Sequence, residues 1–97
     1  MIIRIVKMTF RPEAVTDFLH IFEGVKDHIR AFEGCQRLEL LQHVEDSHVL
    51  FTYSWWNEPE DLEAYRQSAL FSETWIKTKA LFGGKPEAWS VNKMVEL

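Results

Sequence analysis

A chain of 97 residues has room for one domain with a single modest core, and a composition of 46% hydrophobic and 27% charged residues is that of a globular protein. The net charge is -4 and the 11 lysines and arginines form no basic run, which argues against nucleic-acid binding and against an anionic membrane surface as partner. One cysteine excludes an intrachain disulfide, and neither a signal-peptide core nor a span of about 20 apolar residues is present, so the sequence predicts a cytoplasmic protein without a membrane partner.

The first predicted elements are a strand and a long amphipathic helix. β-Branched residues dominate the run from Met1 to Phe10, and Pro12 then breaks the strand and is well placed to open a helix. The spacing that follows predicts a helix of about five turns with one apolar face. Gly34 ends this helix. Its apolar positions are Val15, Phe18, Leu19, Phe22, Val25, Ile29 and Phe32.

The next two segments, "CQRLELLQH" and "HVLFTYSWW", predict an antiparallel hairpin with Glu45, Asp46 and Ser47 at its tip. Alternation along the second of these strands places two sets of side chains on opposite faces of the sheet. One set contains Val49, Phe51, Tyr53 and Trp55, and the other contains Leu50, Thr52, Ser54 and Trp56. In the first strand of the hairpin, Leu38 and Leu40 are predicted to lie on the opposite face of the sheet from Cys35 and Leu41.

The last third of the chain predicts helix and then strand. Pro59 and the acidic residues around it favour a helix N-terminus, and Ser68 is suited to cap a second helical segment. Helical spacing continues to Gly83 and Gly84, which end it. A final strand is predicted from about Glu87 to Glu96, with Trp89, Val91 and Val95 alternating on one side.

The element order is βαββαβ, which predicts an α+β domain of ferredoxin-like type spanning residues 1–97, an antiparallel sheet with its helices on one face. Such a sheet is expected to have one apolar and one wet face, but here both faces carry large apolar side chains. A contiguous exposed apolar patch usually marks an interface. The sequence therefore predicts a homodimer packed sheet against sheet.

Two segments resemble the antibiotic biosynthesis monooxygenase family. "FEGCQRLELLQ" (residues 32–42) is similar to the family's Pro-Gly-Cys turn into the second strand, with Glu33 in place of proline. "VLFTYSWWNEPEDLEAYRQSALF" (residues 49–71) is similar to the family's aromatic strand end, acidic helix start and serine before an apolar pair. The resemblance implies a dimeric α+β barrel in which each subunit holds an aromatic-lined pocket between helices and sheet.

The family includes oxygenases that hydroxylate small polycyclic phenols without metal or flavin, so the resemblance implies a small aromatic ligand and no cofactor. This sequence departs from the family at several positions. Tyr65 stands where many members carry histidine, and Ser54 where some carry glutamate. Leu70 stands at a position where members often carry another histidine. In the haem-degrading branch the iron ligand aligns with Trp75, so haem binding is not expected.

A cofactor-free oxygenase needs an apolar chamber, a base or acceptor for the substrate proton, and donors for the charge that develops on oxygen. His28, which flanks the apolar stripe of the first helix and is expected to be half-buried, and Tyr65 are the candidate catalytic residues. The candidate substrate-binding residues are Arg37, Tyr53, Trp55, Phe71 and Trp75, with Arg4 as a second candidate for an anionic oxygen.

Each of these assignments has a structural alternative. The aromatic residues are also suited to the core or to dimer contacts, and His28 to the boundary of the core. Arg4 and Arg37 are suited to pair with Glu39 or with acidic residues of the partner subunit. His43 and His48 flank the hairpin tip without a third ligand, so no metal site is predicted. Cys35 has no adjacent histidine and is expected to be a structural thiol.

Two functions of different classes follow from the sequence. The first is a cofactor-independent monooxygenase that oxidises a small phenolic or quinol compound. The second is a non-catalytic module of the same fold that binds a small ligand or serves in a stress response, since a fold alone does not fix function. An isomerase or hydrolase is a third alternative, but the sequence offers no nucleophile paired with a base.

Overall fold

The computed structural model describes residues 1–97 and contains a four-stranded antiparallel sheet with three helices on one of its faces. The strands are β1 (Ile2–Thr9), β2 (Cys35–Gln42), β3 (Val49–Trp56) and β4 (Glu87–Asn92). The helices are α1 (Val15–Arg30), α2 (Pro59–Arg66) and α3 (Ala69–Lys79), and a 3-10 turn at Pro12–Ala14 leads into α1. The sheet order β2-β3-β1-β4 confirms the predicted α+β, ferredoxin-like fold.

The helical region after β3 is split into two helices by local capping. At the start of α2, Glu58 and Asp61 form a capping box, in which the Glu58 backbone N–H donates to the Asp61 carboxylate at 3.2 Å. The hydroxyl of Ser68 accepts a hydrogen bond from the Phe71 backbone N–H at 3.1 Å and so begins α3. The cap predicted at Ser68 is therefore present, and it sets the rotation at which α3 faces the sheet.

The register of the strands decides which side chains face the helices. In β3, residues 50, 52, 54 and 56 face the helices, as the alternation predicts, and they lie opposite residues 8, 6, 4 and 2 of β1. The prediction for Cys35 is wrong. A bulge between Cys35 and Arg37 adds a residue to β2, so Cys35 lies opposite Trp56 and shares the helix side with Leu38.

Strand β4 is shorter than predicted and ends at Asn92 instead of continuing to Glu96. The reason lies in its partner strand. Asn92 pairs with Ile2, the first residue of β1, so the residues after Asn92 have no neighbouring backbone with which to form a ladder. Met94 and Val95, which were expected to continue the strand, are exposed.

The core lies between the sheet and the helices in two clusters joined by aromatic rings. One cluster contains Met8, Phe10, Phe18 and Leu50, and the other contains Cys35, Trp56 and Leu62. Trp56 is 0% exposed, and its indole N–H donates to the buried Ser54 hydroxyl at 2.9 Å. Adjacent in sequence, Trp55 points to the other face of the sheet, so the two tryptophans belong to different environments.

The face of the sheet away from the helices, here called the outer face, is apolar and uncovered in the single chain. It carries Ile3, Ile5, Leu41, Phe51, Tyr53, Trp55, Trp89 and Val91. Trp89 is 44% exposed and Leu41 is 40% exposed. The accessible surface of 6398 Å² exceeds the roughly 5,800 Å² expected for a compact monomer of this mass. An uncovered apolar face accounts for part of that excess. None of the three helices has the length and apolarity that a membrane crossing requires.

Gly34 is expected to be indispensable for joining α1 to β2, and replacing it with alanine should lower the free energy of unfolding by about 2–3 kcal/mol. Its φ of +85° lies in the left-handed region that disfavours a side chain, and an added Cβ would come 2.3 Å from Cγ of Asp61. Moving Asp61 would break the capping box of α2. Chemical denaturation followed by circular dichroism measures the change.

Gly24 provides the matched control because a Cβ added there would meet no atom within 4 Å. Gly24→Ala lies inside α1 and should raise the free energy of unfolding, since alanine is the better helix former. A Gly34→Ala protein as stable as the Gly24→Ala protein would contradict the steric argument.

Candidate functional site

A partly enclosed cavity of about 310 Å³ lies between the sheet and the helices. Its floor consists of side chains on the helix side of the two central strands, Arg4, Val6 and Met8 from β1 and Thr52 and Ser54 from β3. Arg4 and Met8 are four residue steps apart along β1, so the floor is about 13 Å long. A cavity of this size is at the lower end of the range for small-molecule sites, about 300–1,000 Å³.

One wall of the cavity is aromatic and comes from α2 and α3. Tyr65 lies edge-on to Phe71 with ring centroids 5.3 Å apart, and Phe71 stacks on Trp75 at 6.0 Å with only 9° between the rings. Phe71 and Trp75 are four residues apart and therefore share one face of α3. On the opposite side α1 contributes Phe18, Phe22 and Ile29. These surfaces can hold a flat ring system by stacking.

Tyr65 connects the cavity to the core. Its ring stacks on Trp56 at 5.2 Å and meets Phe32 edge-on at 5.4 Å, so the position of the phenol is fixed on two sides. Burial, with a smaller contribution from Cys35, raises the pKa of Tyr65 to about 12. At neutral pH Tyr65 is therefore a protonated phenol, which donates a hydrogen bond and does not act as a base.

The charged groups of the cavity carry an excess of one positive charge. Arg4 and Arg66 line the cavity, and Arg66 pairs with Glu63 at 3.4 Å. The carboxylate of Glu87 pairs with Lys7 at 3.9 Å on the outer face of the sheet, away from the cavity. Arg4 takes part in none of the six ion pairs of the chain. Its guanidinium donates one hydrogen bond to the Ser90 hydroxyl at 3.1 Å.

The pKa of Arg4 is lowered by burial first and by Arg66 second, while Glu63 acts in the opposite direction. Arginine nevertheless stays protonated in proteins, so Arg4 presents a permanent cation to the cavity.

Two hydroxyl groups inside the cavity differ in how they are satisfied. Ser54 accepts the hydrogen bond from Trp56 and is therefore partnered. Thr78 on α3 is only 3% exposed, and its Oγ1 atom is buried without any hydrogen-bond partner. Buried hydroxyl groups are nearly always hydrogen-bonded in folded proteins. The Thr78 hydroxyl is thus an unused polar group in the wall of the cavity.

Four of the candidate residues from the sequence come together in this cavity, whereas His28 does not. These four are Arg4, Tyr65, Phe71 and Trp75. Contrary to the expectation of half burial, the side chain of His28 is exposed. The cavity side of α1 is set by Phe22 and Ile29, and the residue before Ile29 lies about 100° around the helix from it.

The other three candidates, Arg37, Tyr53 and Trp55, lie on the outer face of the sheet and do not line the cavity. Strand alternation places them there, since their neighbours Leu38 and Ser54 point to the helices. They form a small cluster of their own. The Arg37 guanidinium lies 5.1 Å from the Trp55 ring centroid and pairs with Glu39, and the Tyr53 and Trp55 rings are 6.0 Å apart.

The sequence reading missed Arg66, Thr74 and Thr78 as lining residues. The signal that would have found the two threonines is the spacing of α3, because residues 71, 74, 75 and 78 follow the three- and four-residue steps of one helix face. Arg66 carries the same signal on α2, because residues 65 and 66 lie three and four steps after Leu62 and all three line the cavity.

The histidines and acidic residues do not assemble into a metal centre, as no three His, Cys, Asp or Glu side chains lie together in a suitable arrangement. His43 has a structural contact instead. Its Nδ1 accepts hydrogen bonds from the backbone N–H groups of Glu45 and Asp46 at 3.1 and 3.0 Å, which orders the hairpin tip.

Comparison with solved structures shows how widely the fold is shared. A conserved protein of Methanosarcina mazei Go1 is 22% identical with a TM-score of 0.89, the match covering 96% of this chain and 93% of that one. An antibiotic biosynthesis monooxygenase is 15% identical with a TM-score of 0.91, covering 98% and 100% of the two chains.

SnoaB of Streptomyces nogalater, described as a cofactor-independent oxygenase, is 14% identical with a TM-score of 0.88, covering 99% and 95%. No curated protein matches the sequence. The sequence model of the antibiotic biosynthesis monooxygenase family matches residues 1–75, which is more than three quarters of the chain. The chain therefore belongs to the antibiotic biosynthesis monooxygenase family.

Proposed function

We propose that the protein is a cofactor-independent monooxygenase that oxidises a small phenolic or quinol compound in the cavity between the helices and the sheet. The observation that carries this proposal is the combination of aromatic walls from Phe71 and Trp75 with the protonated phenol of Tyr65 in one cavity of about 310 Å³. Membership of the family and the fold shared with SnoaB are consistent with it.

In the proposed reaction the substrate supplies the electrons. The phenol loses its proton to solvent, and a ring carbon of the resulting anion transfers electrons to molecular oxygen and forms a carbon–oxygen bond. Protonation gives a hydroperoxide, which loses water and leaves a carbonyl. One oxygen atom thus enters the quinone product, the other leaves as water, and the substrate gives up two hydrogens, one from its hydroxyl group and one from the ring carbon.

The chain's own residues supply positioning and electrostatics. The aromatic wall holds the ring and keeps water away from the reacting carbon, and Tyr65 donates a hydrogen bond to the negative charge that develops on oxygen. Tyr65 takes this role in preference to His28 because Tyr65 lines the cavity and His28 is exposed outside it.

The proposal is tested by measuring oxygen uptake with a panel of naphthols and hydroquinones in the presence of a metal chelator. We expect at least one compound to be converted to a quinone, with one molecule of O2 consumed per molecule of product. Isotopically labelled oxygen gas should place one labelled atom in the quinone. Tight binding of panel members without oxygen uptake would overturn the proposal that the protein is an oxygenase.

A non-catalytic ligand-binding module is the second candidate, and one observation favours it. No histidine lines the cavity, and the carboxylate of its one acidic lining residue, Glu87, is turned to the outer face and pairs there with Lys7, so the cavity has no free proton acceptor. The same panel separates the two functions. Calorimetric binding without turnover would assign the protein to the second class.

We further propose that two copies pack through their outer faces into a cytoplasmic homodimer. The face is apolar at its centre, where Ile5 lies between Tyr53 and Trp89 in the register. Burying such a face is the main driving force of obligate association. The single free cysteine is consistent with a reducing compartment.

Sedimentation analysis should therefore give twice the chain mass of 11.5 kDa, and Ile5→Glu should give the single-chain mass, because the dimer would have to bury an unpaired charge. Val44→Glu introduces the same charge at the hairpin, where Val44 is 98% exposed, and should leave the dimer intact. A monomeric wild-type protein at micromolar concentration would overturn the proposed assembly.

A further inference from the structure

The cavity contains two polar groups whose partners are missing from the chain, and they differ in chemistry. Arg4 is a cation without a carboxylate, and Thr78 Oγ1 is a buried hydroxyl without a hydrogen bond. Both line the same cavity, whose other surfaces are mainly apolar. Unpartnered polar groups inside a folded protein are uncommon and are often found where a ligand completes them.

The charge balance around Arg4 favours an anionic ligand. Two cations line the cavity, Arg4 and Arg66, and the carboxylate of Glu63 pairs with Arg66. Arg4 is therefore the cation left without an ion pair. The one hydrogen bond of Arg4, to Ser90, leaves most of its five N–H donors available in a planar fork that matches a carboxylate.

The two polar groups lie towards opposite ends of the cavity floor. Arg4 is in the same cross-strand row as Ser54 and Ser90. Thr78 is in the last turn of α3, three residues before Leu81 and four before Phe82, which pack on the cluster of Met8 and Phe10. The row of Met8 is about 13 Å from that of Arg4 along β1.

We propose that Arg4 and Thr78 are specificity-determining residues, so that the cavity selects an elongated aromatic acid whose carboxylate binds Arg4 and whose hydroxyl or carbonyl group at the far end binds Thr78 Oγ1. This inference rests on the proposed function for the aromatic nature of the ligand and adds its charge and polarity. Phe71 and Trp75 stack on the ring system between the two polar ends.

Binding to the full chain tests this with three matched probes: naphthol, naphthoate, and a hydroxynaphthoate with hydroxyl and carboxylate at opposite ends of the rings. Calorimetry is expected to show naphthoate binding roughly 10- to 100-fold more tightly than naphthol, because a carboxylate on arginine forms charge-assisted hydrogen bonds. Hydroxynaphthoate should bind roughly fivefold more tightly than naphthoate through Thr78.

Two substitutions separate the two ends. Arg4→Met should remove the preference for naphthoate over naphthol, and Thr78→Val should remove the preference for hydroxynaphthoate over naphthoate. Thr78→Val keeps the side-chain shape and deletes an unpartnered hydroxyl, so its thermal midpoint should be no lower than that of wild type. Lys26→Met removes one positive charge from the exposed side of α1 and should leave both preferences unchanged.

Equal affinities of wild type for naphthol and naphthoate, or failure of all three probes to bind, would overturn the proposal without need of any variant. Retention of the carboxylate preference in a folded Arg4→Met protein would also overturn it. Binding is measured apart from oxygen uptake, so the ordered affinities can stand even if no probe is oxidised, in which case only the oxygenase proposal fails.

Discussion

Trp56→Ala is expected to lower the free energy of unfolding by about 3–5 kcal/mol, the usual range for deleting a buried aromatic side chain. Trp56 is fully buried, stacks on Tyr65 at 5.2 Å and donates its indole N–H to Ser54. Its removal would leave both a large void and an unpaired serine hydroxyl. For a domain of this size the thermal midpoint should fall by roughly 12–40 °C.

Trp55→Ala is the matched control for this experiment because it deletes the same side chain one residue earlier on the other face of the sheet. It should leave the core of the subunit intact and weaken the proposed dimer instead. The two effects are separable by urea denaturation at two protein concentrations, since only a dimer-weakening change alters the concentration dependence of the midpoint. Equal destabilisation by both substitutions at low concentration would contradict the assignment of Trp56 alone to the core.

Tyr65→Phe is expected to lower kcat by about 10²- to 10³-fold with whichever substrate the oxygen-uptake panel identifies, while KM changes little. The range is that found when one preorganised donor to a developing oxyanion is removed. Phenylalanine retains the stacking on Trp56 and Phe71, so the fold and the cavity wall should be preserved. Steady-state kinetics of the variant measures the effect.

Tyr53→Phe removes the hydroxyl of the chain's other tyrosine, which lies on the outer face of the sheet, and should keep the wild-type kcat. Equal losses of kcat in the Tyr65→Phe and Tyr53→Phe variants would show that the effect does not arise in the cavity. An unchanged kcat in Tyr65→Phe would remove Tyr65 from the proposed mechanism.

The raised pKa of Tyr65 adds a measurement that needs no substrate. Its ordinary value is 10.0 and its value in the folded chain is about 12, so between these limits the unfolded chain loses this proton first. The stabilisation is fully present below pH 10 and is lost as the pH rises through the folded value. The free energy of unfolding of wild type should therefore fall more steeply in this window than that of Tyr65→Phe.

Element order and element type were predictable from the sequence because they depend on local periodicity. The steps of three and four residues in α1, the alternation in β3 and the cap at Ser68 are all local signals, and each has its counterpart in the structure. The bulge after Cys35 was not predictable in this way. It depends on how β2 registers against β3, and no residue near Cys35 signals it alone.

The candidate site was predictable only in part. Phe71 and Trp75 were predicted as substrate-binding residues from their aromatic character, and the structure places them with Tyr65 along the cavity. His28 was chosen because it flanks the apolar stripe of α1 and Trp55 because it is aromatic, and neither signal tells which side chains at the edge of a helix or on a sheet meet the other layer. A rotation of one position on α1, or one step along β3, moves a side chain out of the cavity.

The sequence by itself determined the α+β fold and the existence of two apolar sheet faces, because periodicity is a property of the chain alone, and its match to the family's sequence model determined the family. Only the tertiary structure decided that Trp56 belongs to the core and Trp55 to the outer face, and that Arg4 and Thr78 line one cavity. Residues 4 and 78 are brought together by sheet pairing and by the packing of α3 over the sheet. Such contacts between distant segments depend on the closure of the whole fold, and no local pattern encodes them.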